Sequence, residues 1–199
     1  MILPAKTLTF PLLRIISLAA ALMILSTPMP AAAQNAWAIA ANYTRLGVSL
    51  NALFLPETRA EFKALRGNVL IDEKRPARSL IALVADISSI EVSTPSVRSF
   101  LLGDQILDAA RFPTLTFRST GIVKTDALHA TLSGALTLRG VTRPIDMEIE
   151  FEPKPGRLGQ ISGLTARGKL NRLEFGITRG YPLVTSEVEI VLTSQSGAR

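Results

Sequence analysis

The sequence predicts an all-β fold: about eight antiparallel strands closing into a barrel, interrupted by one short helical connection. Two observations carry most of this. Segments such as Leu132–Leu138 and Ile145–Glu152 switch between apolar and polar at almost every step, the mark of a strand dry on one face and wet on the other. Beyond residue 33, short alternating runs follow one another between turn signals, with a single helical interruption. A two-sheet sandwich satisfies the same alternation; closure into a barrel has the advantage of removing exposed strand edges.

The elements follow in order. Lys6 and Arg14 precede the apolar run Ile15–Leu25, and "STPMPAAA" then places Ala31 and Ala33 at A-x-A spacing. This is the layout of a secretory signal peptide (1–33) cleaved after Ala33, and the apolar run falls short of the roughly 20 residues a spanning helix needs. The mature domain is then 34–199. Its first strand carries Leu46, Val48, Leu50, Ala52 and Phe54 at alternate positions, and a second surrounds "RGNVLID". "SLIALVADISSIEV" (79–92) starts apolar on both faces, as a strand covered on both sides does. Between Thr94 and Pro113, Thr94 caps a helix with Pro95 at its first position, Gly103 stops it, and Asp104 offers a fresh cap. "TLTFRSTGIV" (114–123) turns Leu115 and Phe117 one way and Thr116 and Arg118 the other. The two strands flanking "RGVTRP" follow, then "SGLTARGKLNRLEFG" (162–176), and last "SEVEIVLT" (186–193) with Val188, Ile190 and Leu192 on one face.

Composition narrows the function. The formal charge of +6 falls to +4 without Lys6 and Arg14, and the basic residues are spread out. "DEKRPAR" (72–78) mixes both signs and reads as a solvated turn, so no nucleic acid partner is expected. With no cysteine, disulfides and thiol chemistry are excluded and the domain stands on its hydrophobic core. Aromatic residues are only 6% of the chain, and an aliphatic, ring-poor wall suits a flexible hydrocarbon inside an eight-stranded barrel. An outer-membrane barrel would turn Asp146, Glu148, Glu150 and Glu152 into a narrow lumen, and one Trp and two Tyr are too few for interfacial girdles.

"LSGALTLRGVTRPIDMEIEF" (132–151) is similar to the characteristic segment of the YceI-like, polyisoprenoid-binding family. "FPTLTFRST", "LTARGKLNRLEFGI", "ISSIEV" and "AWAIAANYTRLGVSL" extend the resemblance from about Trp37 to Leu192. The resemblance implies an eight-stranded antiparallel lipocalin-like β-barrel, exported to the periplasm, that sequesters or carries a long isoprenoid chain of the polyprenyl phosphate or isoprenoid quinone type in an apolar tunnel. The ligand-facing set is then Val48, Leu50, Phe54, Leu115, Phe117, Leu132, Leu136, Leu138, Ile145, Met147, Ile149, Phe151, Val188 and Ile190. Three histidines and an aspartate common in the family are replaced: the chain reads Tyr43 and Thr44 early in the first strand, Ala52 further along it, and "VRSFL" (97–101) in the helical connection. Head-group recognition by those residues does not carry over. A less polar lipid is expected, with Tyr43, Thr44 and Arg98 as mouth candidates because they replace polar family positions.

Catalytic chemistry finds little support. His129 is the only histidine and starts a strand beside a turn, as a solvated imidazole does. A His-rich metal site and a Cys nucleophile are excluded, and no serine sits in a G-x-S-x-G elbow. Glu148 and Glu150 read as a solubilising stripe, and "GRLGQISG" (156–163) precedes a strand, not the helix a phosphate loop needs. No metal or cofactor is expected. The expected partners are an isoprenoid lipid or another long-chain amphiphile, with transient membrane contact and a homodimer left open. The alternatives are an enzyme acting on such a lipid and a filled barrel serving as an interaction module.

Overall fold

The computed structural model describes residues 34–197 other than 53, 54 and 73; the expected signal peptide (1–33) and candidate Phe54 lie outside the described residues. Eleven strands and one α-helix follow in order: β1 (Gln34–Ala40), β2 (Thr44–Ala52), β3 (Leu55–Phe62), β4 (Leu65–Asp72), β5 (Leu80–Asp86), β6 (Ile90–Val92), α1 (Pro95–Leu102), β7 (Thr114–Lys124), β8 (His129–Leu138), β9 (Val141–Pro153), β10 (Ile161–Asn171) and β11 (Val184–Gln195). All pairings are antiparallel, in the order β1-β4-β5-β7-β8-β9-β10-β11-β2-β3-β6.

Eleven segments are eight long strands, three of which are broken once. β1 and β2 are joined by three residues and β3 and β4 by two. They run as one hairpin, β1 against β4 from Gln34↔Asp72 to Ala40↔Arg66, and β2 against β3 from Leu46↔Phe62 to Ala52↔Leu55. β5 and β6 flank a 3-10 turn, Ile87–Ser89, and continue against β4 and β3. The breaks sit at one height, since Lys63 N donates to Ser89 O and Asp86 N to Ala64 O. Asp86 makes the bend, its carboxylate accepting from Ser88 N at 2.9 Å and from Ser88 Oγ at 2.8 Å. Counted as chain runs, the ladder passes through all eight and returns from β11 to β2, so the antiparallel barrel expected from the alternation is what forms.

Helix α1 begins and ends where expected, with Thr94 at the N-cap, Pro95 in the first turn and Gly103 at the C-cap. Asp104 starts no second helix. The chain turns instead and buries Ile106 and Leu107 against the core. The helix, the Arg139-Gly140 turn and residues 172–183 lie at one end of the barrel, and the 74–79, 125–128 and 154–160 connections at the other. Arg139 and Gly140 have φ of 50° and 72°, the two-residue hairpin geometry that matches strand twist. The Arg139 guanidinium spans the rim, donating to Gly176 O at 3.0 Å and Asp104 O at 3.1 Å.

Candidate functional site

Period-two alternation turns one face of each strand inward. In β9 the buried residues are Ile145, Met147, Ile149 and Phe151, while Asp146, Glu148 and Glu150 are exposed. In β8 they are Ala130, Leu132, Gly134, Leu136 and Leu138. Cross-strand partners share a face, and the register Leu132↔Met147, Gly134↔Ile145 and Leu136↔Arg143 aligns these inner residues rung by rung.

The interior is nearly filled. One apolar void of about 30 Å³ lies within it, walled by Leu46, Val48, Leu83, Leu115, Phe117, Leu136, Ile145, Met147, Ile190 and Leu192. That is about the room one water needs, far below the roughly 300–1,000 Å³ of small-molecule pockets. The elongated tunnel expected from the sequence is therefore not open here. Two packing features account for the difference. The Phe117 ring lies over Gly134, where a methyl group would come within 2.3 Å of Cε2 and 2.4 Å of Cζ. Towards the end away from α1, Val69, Ile81, Leu132, Ile149 and Leu164 are packed to at most 1% exposure.

Seven of the expected ligand-facing residues line the void: Val48, Leu115, Phe117, Leu136, Ile145, Met147 and Ile190. Leu132, Leu138, Ile149 and Phe151 are buried around it without lining it. Leu50 and Val188, half-buried and paired with each other, sit towards the α1 end. Three lining residues fell outside the expected set. Leu46 and Leu192 were visible in the alternation, and Leu83 was hidden in a segment apolar at every position.

The mouth candidates lie elsewhere. Thr44 is buried inside the wall, its hydroxyl 2.9 Å from that of Ser194, which also accepts from Trp37 Nε1 at 2.9 Å. Tyr43 is exposed in the β1–β2 break, near the chain's carboxyl-terminal side, where Gln195 N donates to its carbonyl. The Arg98 guanidinium is engaged in anchoring α1 to the β5–β6 bend, through Nε to Ile90 O at 2.9 Å and Nη2 to Ser88 O at 2.5 Å.

Besides Arg98, Arg139 and Arg179, the α1 end carries Arg172 and Arg143. Arg172, 3% exposed, donates to four backbone carbonyls: Thr185 at 2.8 Å, Ile177 at 2.5 Å, Arg179 at 2.9 Å and Val184 at 2.9 Å. Burial lowers its pKa from the ordinary value, yet an arginine keeps its charge at any working pH. Arg143 is exposed, on the inner side of the β8–β9 ladder opposite Leu136, and among the described residues its side chain bonds only locally, Nη1 to Thr142 O at 3.2 Å. The signal for Arg143 was in "RGVTRPIDMEIEF": it stands two residues before Ile145, on the dry parity. The buried carboxylates serve loops. Asp72 accepts from Arg75 N and Nε, and Asp108 pairs with Arg111 at 3.3 Å.

A larger concavity, about 630 Å³, lies on the outer wall over β11, β2, β3 and β6. Its floor mixes Val48, Ala60, Val92 and Val191 with Arg45, Ser49, Arg59, Glu61, Lys63 and Glu91, with Lys63 bridging Glu61 at 2.8 Å and Glu91 at 3.7 Å. It is an open concavity on the outer face, separate from the enclosed void between the inner faces of the strands.

Comparison with known proteins places these features. The model of the YceI-like domain family matches residues 37–195. A UPF0312 protein of Enterobacter sp. (strain 638) is 30% identical over 137 residues, covering 66% of this chain and 69% of that protein. Protein YceI of Salmonella arizonae is 29% identical, covering 66% and 70%. Among solved structures, BcnA of Burkholderia cenocepacia superimposes with a TM-score of 0.66 at 19% identity, over 75% of this chain and 94% of that one. A polyisoprenoid binding domain from Saccharophagus degradans, implicated in plant cell wall breakdown, does so with a TM-score of 0.58 at 13% identity, over 82% and 99%. These structural likenesses establish the fold.

Proposed function

We propose, because this chain belongs to the YceI-like family, that its barrel takes up the hydrocarbon of an isoprenoid lipid and serves as a non-catalytic carrier or sequestering protein. The lipid is of the polyprenyl phosphate or isoprenoid quinone type and the site of action is the periplasm, reached through the signal peptide read in residues 1–33. The observation that carries the reading is the all-apolar wall of the inner void, in a chain whose structural neighbours include a polyisoprenoid binding domain.

Uptake on this reading requires the interior to enlarge about tenfold. The driving force is adequate. At about 0.8 kcal/mol per buried carbon, each five-carbon isoprene unit contributes on the order of 4 kcal/mol gross. Ordering of the tail, loss of translational freedom and displacement of wall side chains offset much of it. Several units still leave a favourable balance with no polar contact required.

The small void favours a second reading, a filled barrel that acts as an interaction module. Mass spectrometry of an organic-solvent extract of the purified protein separates the two. The carrier reading expects a copurified isoprenoid, or uptake of added geranylgeraniol at a stoichiometry near one; a protein that carries no lipid and takes up none is an interaction module.

A further inference from the structure

We propose that Arg143 is the head-group residue of the chamber and that it makes the protein select phosphate-terminated isoprenoids over neutral ones. This inference rests on the lipid-binding reading above and narrows it, in place of the less polar head group expected from the missing histidines.

Position is the first argument. Directly opposite residues of an antiparallel pair present their side chains on the same face. Arg143 is opposite Leu136, a wall residue of the void, and two residues from Ile145, another. On the outer face Thr137 and Thr142 join their hydroxyls at 2.8 Å, which fixes the parity independently. Arg143 thus continues the sequence of inner residues Phe151, Ile149, Met147 and Ile145, and is the first of them to be exposed and the first to be charged. A hydrocarbon lying against Met147 and Ile145 has its polar terminus at this guanidinium.

Charge is the second. Among the described residues no carboxylate lies within 4.0 Å of the Arg143 or the Arg172 guanidinium. Arg172 follows Gly168, the last β10 residue paired with β9, by four residues, and Arg143 precedes that residue's partner Met147 by four, so both cations reach the same height of the barrel. Arg172 is immobilised by its four carbonyls and supplies a fixed positive potential; Arg143 is free to move onto a ligand. The exposed acids of this end include Asp104, Glu174, Glu57 and Glu187; Glu57 pairs with Arg59 and Glu187 with Lys169, and none of the four pairs with either arginine. Guanidinium is the side chain best matched to phosphate, through parallel charge-assisted hydrogen bonds. An alcohol or a quinone carbonyl gains no comparable contact.

The test compares the dissociation constants of geranylgeranyl phosphate and geranylgeraniol, below their aggregation concentrations. The proteins are wild type, R143Q, R143K and the outer-wall control R167Q, which removes the same charge from the Arg167–Glu150 pair; a melting curve for each confirms folding. The wild type is expected to favour the phosphate at least tenfold, R143Q to lose that preference with geranylgeraniol affinity unchanged, R143K to keep part of it, and R167Q all of it. The assignment is overturned if the wild type shows no preference, if R143Q retains it, or if R167Q loses it equally. Failure of every protein to bind either compound instead removes the lipid-binding reading, and the head-group assignment with it.

Discussion

Phe117 is the side chain on which the hollow and filled interiors can be told apart. Its ring lines the inner void and occupies the space that the missing side chain of Gly134 leaves. Phe117→Ala empties that space. A dry cavity on the order of 150 Å³, large enough for a benzene-sized guest, costs about 3.6 kcal/mol at ~24 cal/mol per Å³, within the ~3–5 kcal/mol range of such truncations. Gly134→Ala acts oppositely, since its methyl group drives the ring towards the void. Overpacking of this kind costs about 1–3 kcal/mol. Both variants lose stability in urea when lipid-free; their responses to ligand differ. With geranylgeraniol fixed at 100 times the wild-type dissociation constant, bound ligand stabilises the wild type by about 2.7 kcal/mol. Phe117→Ala should bind more tightly than wild type and be stabilised by more than that, while Gly134→Ala should bind more weakly and be stabilised by less. Equal lipid affinity in all three proteins, with the stability losses intact, would refute the reasoning, because the ligand would then be bound somewhere other than this interior.

Three further outcomes are expected. Arg172→Leu leaves four carbonyls without their common donor and should destabilise by at least about 3 kcal/mol, since a buried acceptor left unsatisfied costs about 1–3 kcal/mol; Arg172→Lys should recover only part, and hydrogen exchange should speed up first in residues 177–185. Ser194→Ala strips the partner from Trp37 Nε1 and Thr44 Oγ1 and should cost about 1–3 kcal/mol in chemical denaturation. Asp126 is held below the ordinary carboxylate range, first by the Leu128 N–H and then by His129. Its contribution is therefore complete above the unfolded-state pKa and disappears as pH falls through the lower folded value, so wild type and Asp126→Asn should converge in stability only below about pH 4, as a carboxyl NMR titration of Asp126 can follow.

The wall was legible because alternation is a direct record of which face is dry. Ile145 to Phe151 could be assigned to the interior from spacing alone, and the structure buries all four. The three breaks were less visible. The turn at Ile87–Ser89 follows from Asp86 capping two residues ahead, but the 41–43 and 63–64 breaks carry no glycine or proline, and only pairing with the neighbouring run reveals them. Side-chain volume was the other gap. That Phe117 would lie across Gly134 depends on two residues seventeen apart meeting face to face, and periodicity fixes the face but not the rotamer. Arg98 and Thr44 illustrate the limit for polar groups: each was read as facing a ligand, and each spends its hydrogen bonds inside the protein.

The position of the void indicates which part of the wall can yield. Between the breaks and the far end, β1, β4, β5 and β7 form an unbroken ladder with a densely packed interior. On the α1 side β6 is three residues long, pairs only with β3 and ends the ladder; helix α1 and the residues after it cover the opening, pinned through Arg98 and Arg139. Swinging β6 and β3 outward, with β2 held on β11 as the hinge, therefore breaks few ladder bonds, whereas widening the other half would break a continuous one. A ligand on this account enlarges the α1 half and meets a floor at Leu132 and Ile149. Arg143 and Ile149 are six residues apart on β9, about 20 Å of strand, or roughly 15 Å of depth at the usual barrel tilt. A tail longer than that must fold back or leave its end outside, so affinity should rise with isoprenoid length up to that depth and then level off.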